Sequence, residues 1–388
     1  MINKVLLRDL LDLPNRRKLY DDILNKFRAF SNVRDIHYYE FETSEGKIPI
    51  IVIAKTLNPE EVRYVKVFVG AQHNEYNGLF GIIEFFKMIE KSIIRLDAIL
   101  KNNQILIFTP LMNPYGFLNP KKDNKSGYYL KNGTNLNRFW RRSFALEYKN
   151  NEDNLNQYPI PEHVTILHKF LEKYWKRESI PIYILDFHET SLLDRFLADL
   201  TNNLQKNSIT YKFSHWLKEG IIKNIIKLYN MPYSRKLLFY KCNPNADHTH
   251  INLSIKQLEI IHQNLQEYVS QNHRKLPFYF SYSNKSKEIC ERLALNVYNR
   301  LKDILWETYF PAFNHYFLNH GCFVNMNDVI KRKGVYCMEL ESAKQFFNIF
   351  DEIDNSKTDF NYFENKIKII KMSTQLVVES IKEMLKCF

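Results

Sequence analysis

Residues 64–93, "YVKVFVGAQHNEYNGLFGIIEFFKMIEKSI", decide the fold class, because they pass from a strand pattern into a helix pattern. The first part, "YVKVFVGA" (64–71), is a short apolar run rich in β-branched and aromatic residues, which predicts a buried strand. The segment 78–93 carries apolar residues at helical spacing. A buried strand that leads directly into such a helix is typical of α/β domains.

The rest of the chain continues this alternation. Strands are predicted at 104–111, 181–188 and 334–343, and helices at 161–175, 254–271, 287–309 and 361–388. Alternating strands and helices predict an α/β fold with a largely parallel or mixed central sheet. The patterns within 195–333 are mostly helical, and we interpret this region as an insertion within a single domain that covers 1–388.

Composition narrows the class of protein. The chain has 388 residues and is 45% hydrophobic, which is enough for a sizeable core. Its 5 cysteines are an odd number without short paired spacing, so neither a disulfide framework nor a structural zinc knuckle is predicted.

The N-terminal apolar run is broken by acids and lacks a small-residue cleavage site, so we predict a cytoplasmic protein without a secretory signal or membrane partner. The net charge of +12 is spread along the chain, which favours a solvated basic surface over nucleic-acid binding.

Polar residues follow the predicted strands. In open α/β sheets ligands bind beyond the carboxyl ends of the strands, so these residues form the candidate site. They are Gln72, His73 and Glu75 after the first strand, "MNPYGF" (112–117) after the second, "NGTNLNRFW" (132–140) further on, "DFHE" (186–189) at the third, and Glu339 and Glu341 on the last.

This ordered set resembles the M14-type zinc carboxypeptidases and the related succinylglutamate desuccinylases and aspartoacylases. In that family a strand ends in His-x-x-Glu, and an Asn-Pro-x-Gly turn and an Asp-x-Asn-Arg segment follow. A later strand then ends in the third ligand histidine, and the last strand bears the catalytic glutamate. The resemblance spans residues 64–343 and implies an α/β/α sandwich with a mixed central sheet. A glutamine at the first ligand position is also similar to the DL-carboxypeptidases that trim peptidoglycan peptides.

The resemblance implies roles for individual residues. By position, Glu75 and His188 would be zinc ligands, and Asn137 and Arg138 would bind the carboxylate of the substrate. An arginine beside an amide suits this task, because both donate hydrogen bonds to carboxylate oxygens.

The late strand would supply the catalytic base. Glu339 and Glu341 alternate with other residues along the strand, so both could project from the face that bears the site. The family strand commonly ends soon after its glutamate with a small or hydroxylated residue, and "SA" (342–343) therefore favours Glu341.

The first ligand is a choice between Gln72 and His73. Where a strand runs into a helical turn, residues three apart point to the same side and residues two apart generally do not, which favours Gln72 as the partner of Glu75. The family aspartate that orients the ligand histidine is Asn135 here, and the amide NH₂ of Gln72 could donate to the oxygen of Asn135. We therefore prefer Gln72, with its amide oxygen facing the metal, and keep His73 as the alternative.

The function implied is a zinc metallocarboxypeptidase that removes a C-terminal residue from a peptide with a free carboxylate. Two alternatives stay open: a deacylase of N-acyl amino acids that uses the same chemistry, and a catalytically silent module that binds peptide C-termini. The sequence does not indicate an oligomeric state.

Overall fold

The computed structural model describes residues 13–100, 103–119, 129–144, 159–190, 278–304, 323–343 and 360–386. The helix predicted at 254–271 and most of the proposed insertion lie outside these segments. The division of the chain into one domain with an insertion therefore stays a prediction.

The described strands form one mixed sheet of 7 strands in the order β1-β2-β4-β3-β5-β7-β6. They are β1 (Ile36–Thr43), β2 (Gly46–Ile53), β3 (Tyr64–Ala71), β4 (Gln104–Leu111), β5 (Ile182–Thr190), β6 (Tyr279–Tyr282) and β7 (Val335–Ala343). Strands β4, β3, β5 and β7 are parallel, whereas β2 joins β4 and β6 joins β7 in antiparallel pairs. The parallel strands sit at the centre, so their carboxyl ends meet at one edge of the sheet.

Helices cover both faces of the sheet. They are α1 (Leu13–Phe30), α2 (Asn77–Glu90), α3 (Leu96–Ile99), α4 (Pro114–Leu118), α5 (Trp140–Phe144), α6 (Glu162–Trp175), α7 (Lys287–Leu301), α8 (Phe323–Val329) and α9 (Phe360–Lys386). One core packs α1, α2, α7 and α9 against the sheet, and a second core packs α5, α6 and α8 against the opposite face. The α/β/α sandwich with a mixed central sheet is therefore confirmed. None of the described helices has both the length and the apolar character that a membrane span requires.

Most of the predicted elements are present. Strands β3 and β4 have the predicted bounds, and β5, β7, α2, α6, α7 and α9 begin within a residue of the predicted positions. The sequence patterns did not identify α1, the β1–β2 hairpin or β6. Strand β6 lies in the region predicted to be mostly helical, and its 4 residues are too few to show a clear alternation.

Close packing fixes the start of α2 over β5. A Cβ atom at Gly78 would lie 2.6 Å from Cβ of Phe187, so only glycine allows the helix to approach this closely. The loop between β3 and α2, residues 72–76, is thereby held over the end of β5. It is this loop that carries the predicted metal ligands.

The first turn of α6 contains a buried histidine that should make stability depend on pH. His163 is 2% exposed, neither of its ring nitrogens has a hydrogen-bond partner, and burial lowers its pKa from 6.5 to about 4, against a small opposing effect of Glu162. The unfolded chain therefore binds a proton at this histidine more readily than the folded chain does. The contribution of His163 to stability is fully present above pH ~6.5 and is lost as the pH falls toward 4.

We expect His163 to lower the free energy of unfolding by about 2–3 kcal/mol between pH 7.5 and pH 4.5. Urea unfolding of the wild type and of His163→Phe at both pH values measures this effect, since phenylalanine keeps a ring but does not titrate. An equal decline in the two proteins would show that other groups cause the pH dependence.

Candidate metal centre

The polar residues at the ends of β5 and β7 lie side by side at the carboxyl edge of the sheet. His188 is opposite Glu341, and Asp186 is opposite Glu339 on β7 and Val69 on β3. Side chains alternate along a strand, so Asp186 and His188 project from the same face. Strand β3 pairs with the opposite edge of β5 from β7, and the loop that follows β3 brings Glu75 to His188.

His188 lies between two carboxylates. Its Nδ1 is 2.8 Å from Oε2 of Glu75, and its Nε2 is 2.9 Å from Oδ2 of Asp186. All three side chains are buried. Burial alone would lower the pKa of His188, but the charge of Asp186 and the hydrogen bonds to Asp186 and Glu75 outweigh it and hold the pKa well above its ordinary value. The site therefore favours a positive charge on or beside this ring.

Gln72 is bound at both ends of its amide. Trp140 Nε1 donates to Oε1 of Gln72 at 2.6 Å, and Nε2 of Gln72 donates to Oδ1 and Oδ2 of Asp186 at 2.7 and 2.6 Å. An indole N–H can only donate, so the amide oxygen must face Trp140 and the NH₂ must face Asp186. The Trp140 ring is itself stacked on the ring of Phe323 in α8, with 4.1 Å between the ring centroids.

The partner of Gln72 differs from the predicted one. The sequence argument gave the amide NH₂ of Gln72 to Asn135, whereas it donates to Asp186. The side chain of Asn135 instead accepts from the backbone N–H of Asn137 at 2.9 Å, at the start of the one-turn 3₁₀ helix Leu136–Arg138. Asn135 therefore shapes the loop that carries Asn137, and the carboxylate next to Gln72 comes from β5.

Hydrogen bonds to β5 and β7 hold the loop that carries Glu75. The backbone N–H of Glu189 is 3.4 Å from Oε2 of Glu75, and the carboxylate of Glu189 accepts from the backbone N–H of Asn77 at 2.8 Å. The side chain of Asn77 donates to Ser342 at 3.0 Å, and the Ser342 hydroxyl donates to the carbonyl of His188 at 3.0 Å. The start of α2 and the ends of both strands are thus joined around the site.

Asn137 and Arg138 lie in the one-turn 3₁₀ helix before α5, and Asn137 contacts His188. Nδ2 of Asn137 is 3.3 Å from Nε2 of His188, and Oδ1 of Asn137 is buried without a hydrogen-bond partner. Arg138 is half-buried, and its guanidinium donates to the backbone carbonyl of Asn137 at 3.1 Å. Of the pair predicted to bind a substrate carboxylate, the side chain of Asn137 is adjacent to the imidazole, and the guanidinium of Arg138 contacts the backbone of Asn137.

The two candidate bases on β7 have different surroundings. Glu339 is 3% exposed, accepts from the Ser281 hydroxyl at 3.2 Å and belongs to a cluster with Asp186 and His188. Glu341 is half-buried and is not part of that cluster. The sequence favoured Glu341 as the base, and that choice stays a prediction; of the two residues, Glu339 is the one whose carboxylate approaches the imidazole.

His73, the alternative ligand, is buried at the rim of the same site. Its ring centroid lies 5.7 Å from that of His188, and the planes are tilted by 39°. Among the described residues, His73 joins no group of histidine, cysteine or carboxylate side chains with the spacing of a metal site.

The donors at this edge fit a metal ion. One ligand atom each from Asp186, His188 and Glu339 lies within 4.8 Å of the others, and Glu75 contacts the opposite side of the imidazole. Imidazole nitrogen and carboxylate oxygen are common ligands of divalent transition metals. A metal could therefore bind His188 at either ring nitrogen, at Nδ1 beside Glu75 or at Nε2 beside Asp186.

Sequence reasoning assigned no role to two residues of this centre, Asp186 and Trp140, although both lie in the stretches quoted for the candidate site. Asp186 lies two residues before His188 on the same strand, so strand alternation was a usable signal for placing it on the same face. Trp140 follows the Asn-Arg pair closely, but nothing in its sequence context indicates a contact with Gln72. That contact depends on how α5 packs on the sheet.

Comparisons with known proteins concern the fold. No protein-family model and no curated protein sequence matches the chain. A metallo-carboxypeptidase from Pseudomonas aeruginosa in complex with (2-guanidinoethylmercapto)succinic acid is 10% identical, over 93% of this chain and 67% of that chain, with a TM-score of 0.48. Bovine thrombin-activatable fibrinolysis inhibitor in complex with tick carboxypeptidase inhibitor is 12% identical, over 93% of this chain and 96% of that chain, with a TM-score of 0.43. At such identities the likeness is one of fold alone.

Proposed function

We propose that the protein is a zinc-dependent hydrolase of the metallocarboxypeptidase type, which removes a C-terminal residue from a peptide. The observation that carries the proposal is the buried His188, with a carboxylate on each ring nitrogen and Asn137, the neighbour of Arg138, beside it. An imidazole and carboxylates suit a metal ion, and an amide and a guanidinium suit the free carboxylate of a substrate.

The residues proposed to hold the metal are Gln72, Glu75 and His188. Glu75 already contacts His188, and the amide oxygen of Gln72 has a second lone pair besides the one that accepts from Trp140. A zinc ion bound there would supply positive charge for the scissile carbonyl and lower the pKa of a bound water to about 7.

Glu339 is the proposed general base. A buried carboxylate next to His188 is positioned to take a proton from the attacking water and to return it to the leaving amine. The Ser281 hydroxyl, which donates to Glu339, would keep the carboxylate turned toward the site.

We expect Glu339→Gln to lower kcat by about 10²–10⁴-fold, and Glu341→Gln to lower it far less. The amide keeps the shape of the side chain but cannot accept the proton. Steady-state kinetics on one peptide substrate compare the two variants. A larger loss in Glu341→Gln would give the role of base to Glu341, as the sequence alone suggested.

Arg138 and Asn137 are proposed to bracket the substrate carboxylate. Arg138→Ala should then cost about 2–5 kcal/mol of transition-state binding with free-acid substrates and much less with their C-terminal amides. Arg34→Ala is the control, because the Arg34 side chain is 94% exposed. Equal losses on acids and amides would make Arg138 a structural residue.

A substrate panel tests the proposed reaction. Peptides with free C-termini, their amides, and N-acyl amino acids are incubated with zinc-loaded protein, and release of amino acids is measured. Cleavage restricted to N-acyl amino acids would assign a deacylase instead. Binding of peptide C-termini without turnover and without bound metal would indicate a silent recognition module.

A further inference from the structure

We infer that a cleft at the turn between β1 and β2 binds a free amino acid, with the ammonium group of the ligand on Glu45 and its carboxylate between Arg17 and Lys131. None of the residues assigned to the metal, the base or the substrate carboxylate lines this cleft. Binding there does not require the proposed function.

The cleft lies beyond the carboxyl end of β4. Strand β2 runs antiparallel to β4, with Ile51 opposite Phe108, so the turn that leads into β2 reaches the residues that follow β4. A Cβ atom at Gly46 would lie 2.9 Å from Cβ of Pro114, so this turn packs directly on α4. Ligands of open α/β sheets bind beyond the carboxyl ends of the strands, and the cleft occupies such a position.

Four segments form the walls of the cleft. They are α1, the β1–β2 turn, α4 with the residue after it, and the loop before the 3₁₀ helix Leu136–Arg138. The volume is about 430 Å³, which suits a small molecule. The polar lining residues are Arg17, Ser44, Glu45, Tyr115, Asn119 and Lys131.

Hydrogen bonds hold these walls together. The Tyr20 hydroxyl donates to the carbonyl of Lys47 at 2.9 Å and accepts from its backbone N–H at 2.6 Å, which joins α1 to β2. The backbone N–H and the hydroxyl of Ser44 both donate to Oε1 of Glu162 at 2.7 Å, which joins the turn to α6. A cleft formed in advance loses little conformational entropy when a ligand binds.

Glu45 has one carboxylate oxygen without a donor. Its Oε1 accepts from the backbone N–H of Lys131 at 3.2 Å, whereas its Oε2 is buried without a hydrogen-bond partner. Burial raises the pKa of Glu45 despite the hydrogen bond from Lys131, so the charge of this carboxylate is poorly compensated. The last torsion of a glutamate is soft, and a small rotation turns Oε2 toward the cleft. An ammonium group there would supply both the missing donor and the opposite charge.

Arg17 and Lys131 bring positive charge to the same cleft. Both are exposed, and neither side chain forms an ion pair within the described part of the chain. A simple anion would meet the charge of Glu45, and a polyamine would meet the two cations, whereas a zwitterion places each of its charges opposite a partner. Tyr115 and Leu118 are half-buried, and they offer the side chain of the amino acid a surface to pack on.

Calorimetric titration of the full chain with each of the common L-amino acids tests the inference. We expect at least one of them to bind, and its N-acetyl and amide derivatives to bind about 10-fold or more weakly, because each derivative lacks one of the two charges. Inorganic phosphate is the probe for a simple anion site. Absence of binding by every amino acid, equal binding of the blocked derivatives, or tighter binding of phosphate would overturn the inference.

Replacement of Glu45 tests the contact with the ammonium group. Glu45→Gln keeps the shape of the side chain but removes its charge, so affinity for the amino acid should fall about 10-fold or more. Glu42→Gln, which removes an exposed carboxylate from the same hairpin, should leave the affinity unchanged. The effect of Glu45→Gln should disappear with the N-acetyl derivative, because that derivative has no ammonium group. An unchanged affinity in Glu45→Gln would overturn the inference.

Replacement of the two cations tests the contact with the carboxylate. Arg17→Ala combined with Lys131→Ala should lower the affinity about 10-fold or more. Lys18→Ala combined with Arg34→Ala removes the same charge from exposed residues that do not line the cleft, and it should have little effect. Equal losses in the two double variants would show that only the overall charge of the protein matters, and would overturn the inference.

A free amino acid is also a product of the proposed reaction, so the two sites must be distinguished. Binding at the cleft should persist in Arg138→Ala and in protein treated with a chelator. Loss of binding in Arg138→Ala would place the amino acid at the candidate metal centre and overturn the inference. A protein that binds the amino acid in this way but hydrolyses no peptide would contradict the proposed function alone.

Discussion

Replacing His188 with alanine should lower zinc affinity by more than about 100-fold, because loss of an outer-shell partner alone costs 10- to 100-fold and His188 is the donor common to both ligand sets. The wild type should bind about one zinc per chain. Metal analysis after equilibrium dialysis measures the difference, and circular dichroism establishes that the variant is folded. Stoichiometric zinc retained by folded His188→Ala would remove this histidine from the metal site.

His73→Ala is the matched control for His188→Ala. His73 is also buried and close to the site, yet it should be removable with little change in zinc affinity. Gln72→Ala should lower the affinity by about 10-fold or more. The reverse result, in which His73→Ala strips the metal and Gln72→Ala does not, would make His73 the first ligand.

Replacing Arg332 with alanine should lower the free energy of unfolding by about 3–5 kcal/mol. This buried side chain donates to backbone carbonyls at the end of α6, in the loop between α6 and β5, and just before β7. They are those of Tyr174, Trp175, Arg177, Ile180 and Lys333, at 2.7–3.3 Å. Its guanidinium also lies 5.2 Å from the ring centroid of Trp175. Without Arg332, these five carbonyls would each lose a hydrogen-bond donor at once.

Urea unfolding measures the effect of Arg332→Ala. Arg332→Lys should recover only part of the loss, because an ammonium group cannot reproduce the planar fork of donors. Arg28→Ala is the control, since the Arg28 side chain is 51% exposed and its ion pair with Glu40 should contribute about 1 kcal/mol or less. A loss in Arg332→Ala no greater than in Arg28→Ala would show that the buried contacts contribute little.

The central strands and the long helices could be predicted from sequence because the pattern of apolar residues that favours each of them lies within the element itself. Strand β3 combines β-branched residues with breakers at its end, and α2 repeats apolar residues at helical spacing. The order of the motifs also predicted that residues after β3 would meet residues at the carboxyl ends of β5 and β7. That prediction needs only the rule that parallel strands share one carboxyl edge.

Contacts across the sheet could not be predicted in the same way. The choice between Glu339 and Glu341 depends on the register of β7 against β5, and the partner of Gln72 depends on the packing of α5. Arg332 lies in the basic stretch "KRKG" (331–334), which resembles a solvated surface run, yet it is 7% exposed. Each of these features is set by tertiary structure and leaves no local signal.

The position of β5 between β3 and β7 has a consequence for folding. The contact between Glu75 and His188 joins residues 113 positions apart, and β5 must pair with β3 on one side and β7 on the other. Contacts of such long sequence separation carry a large loop-closure entropy and slow the folding of parallel sheets. No short fragment of the chain contains the whole site, so uptake of zinc by the proposed site during refolding should report the completed assembly of the central strands rather than the formation of any single element.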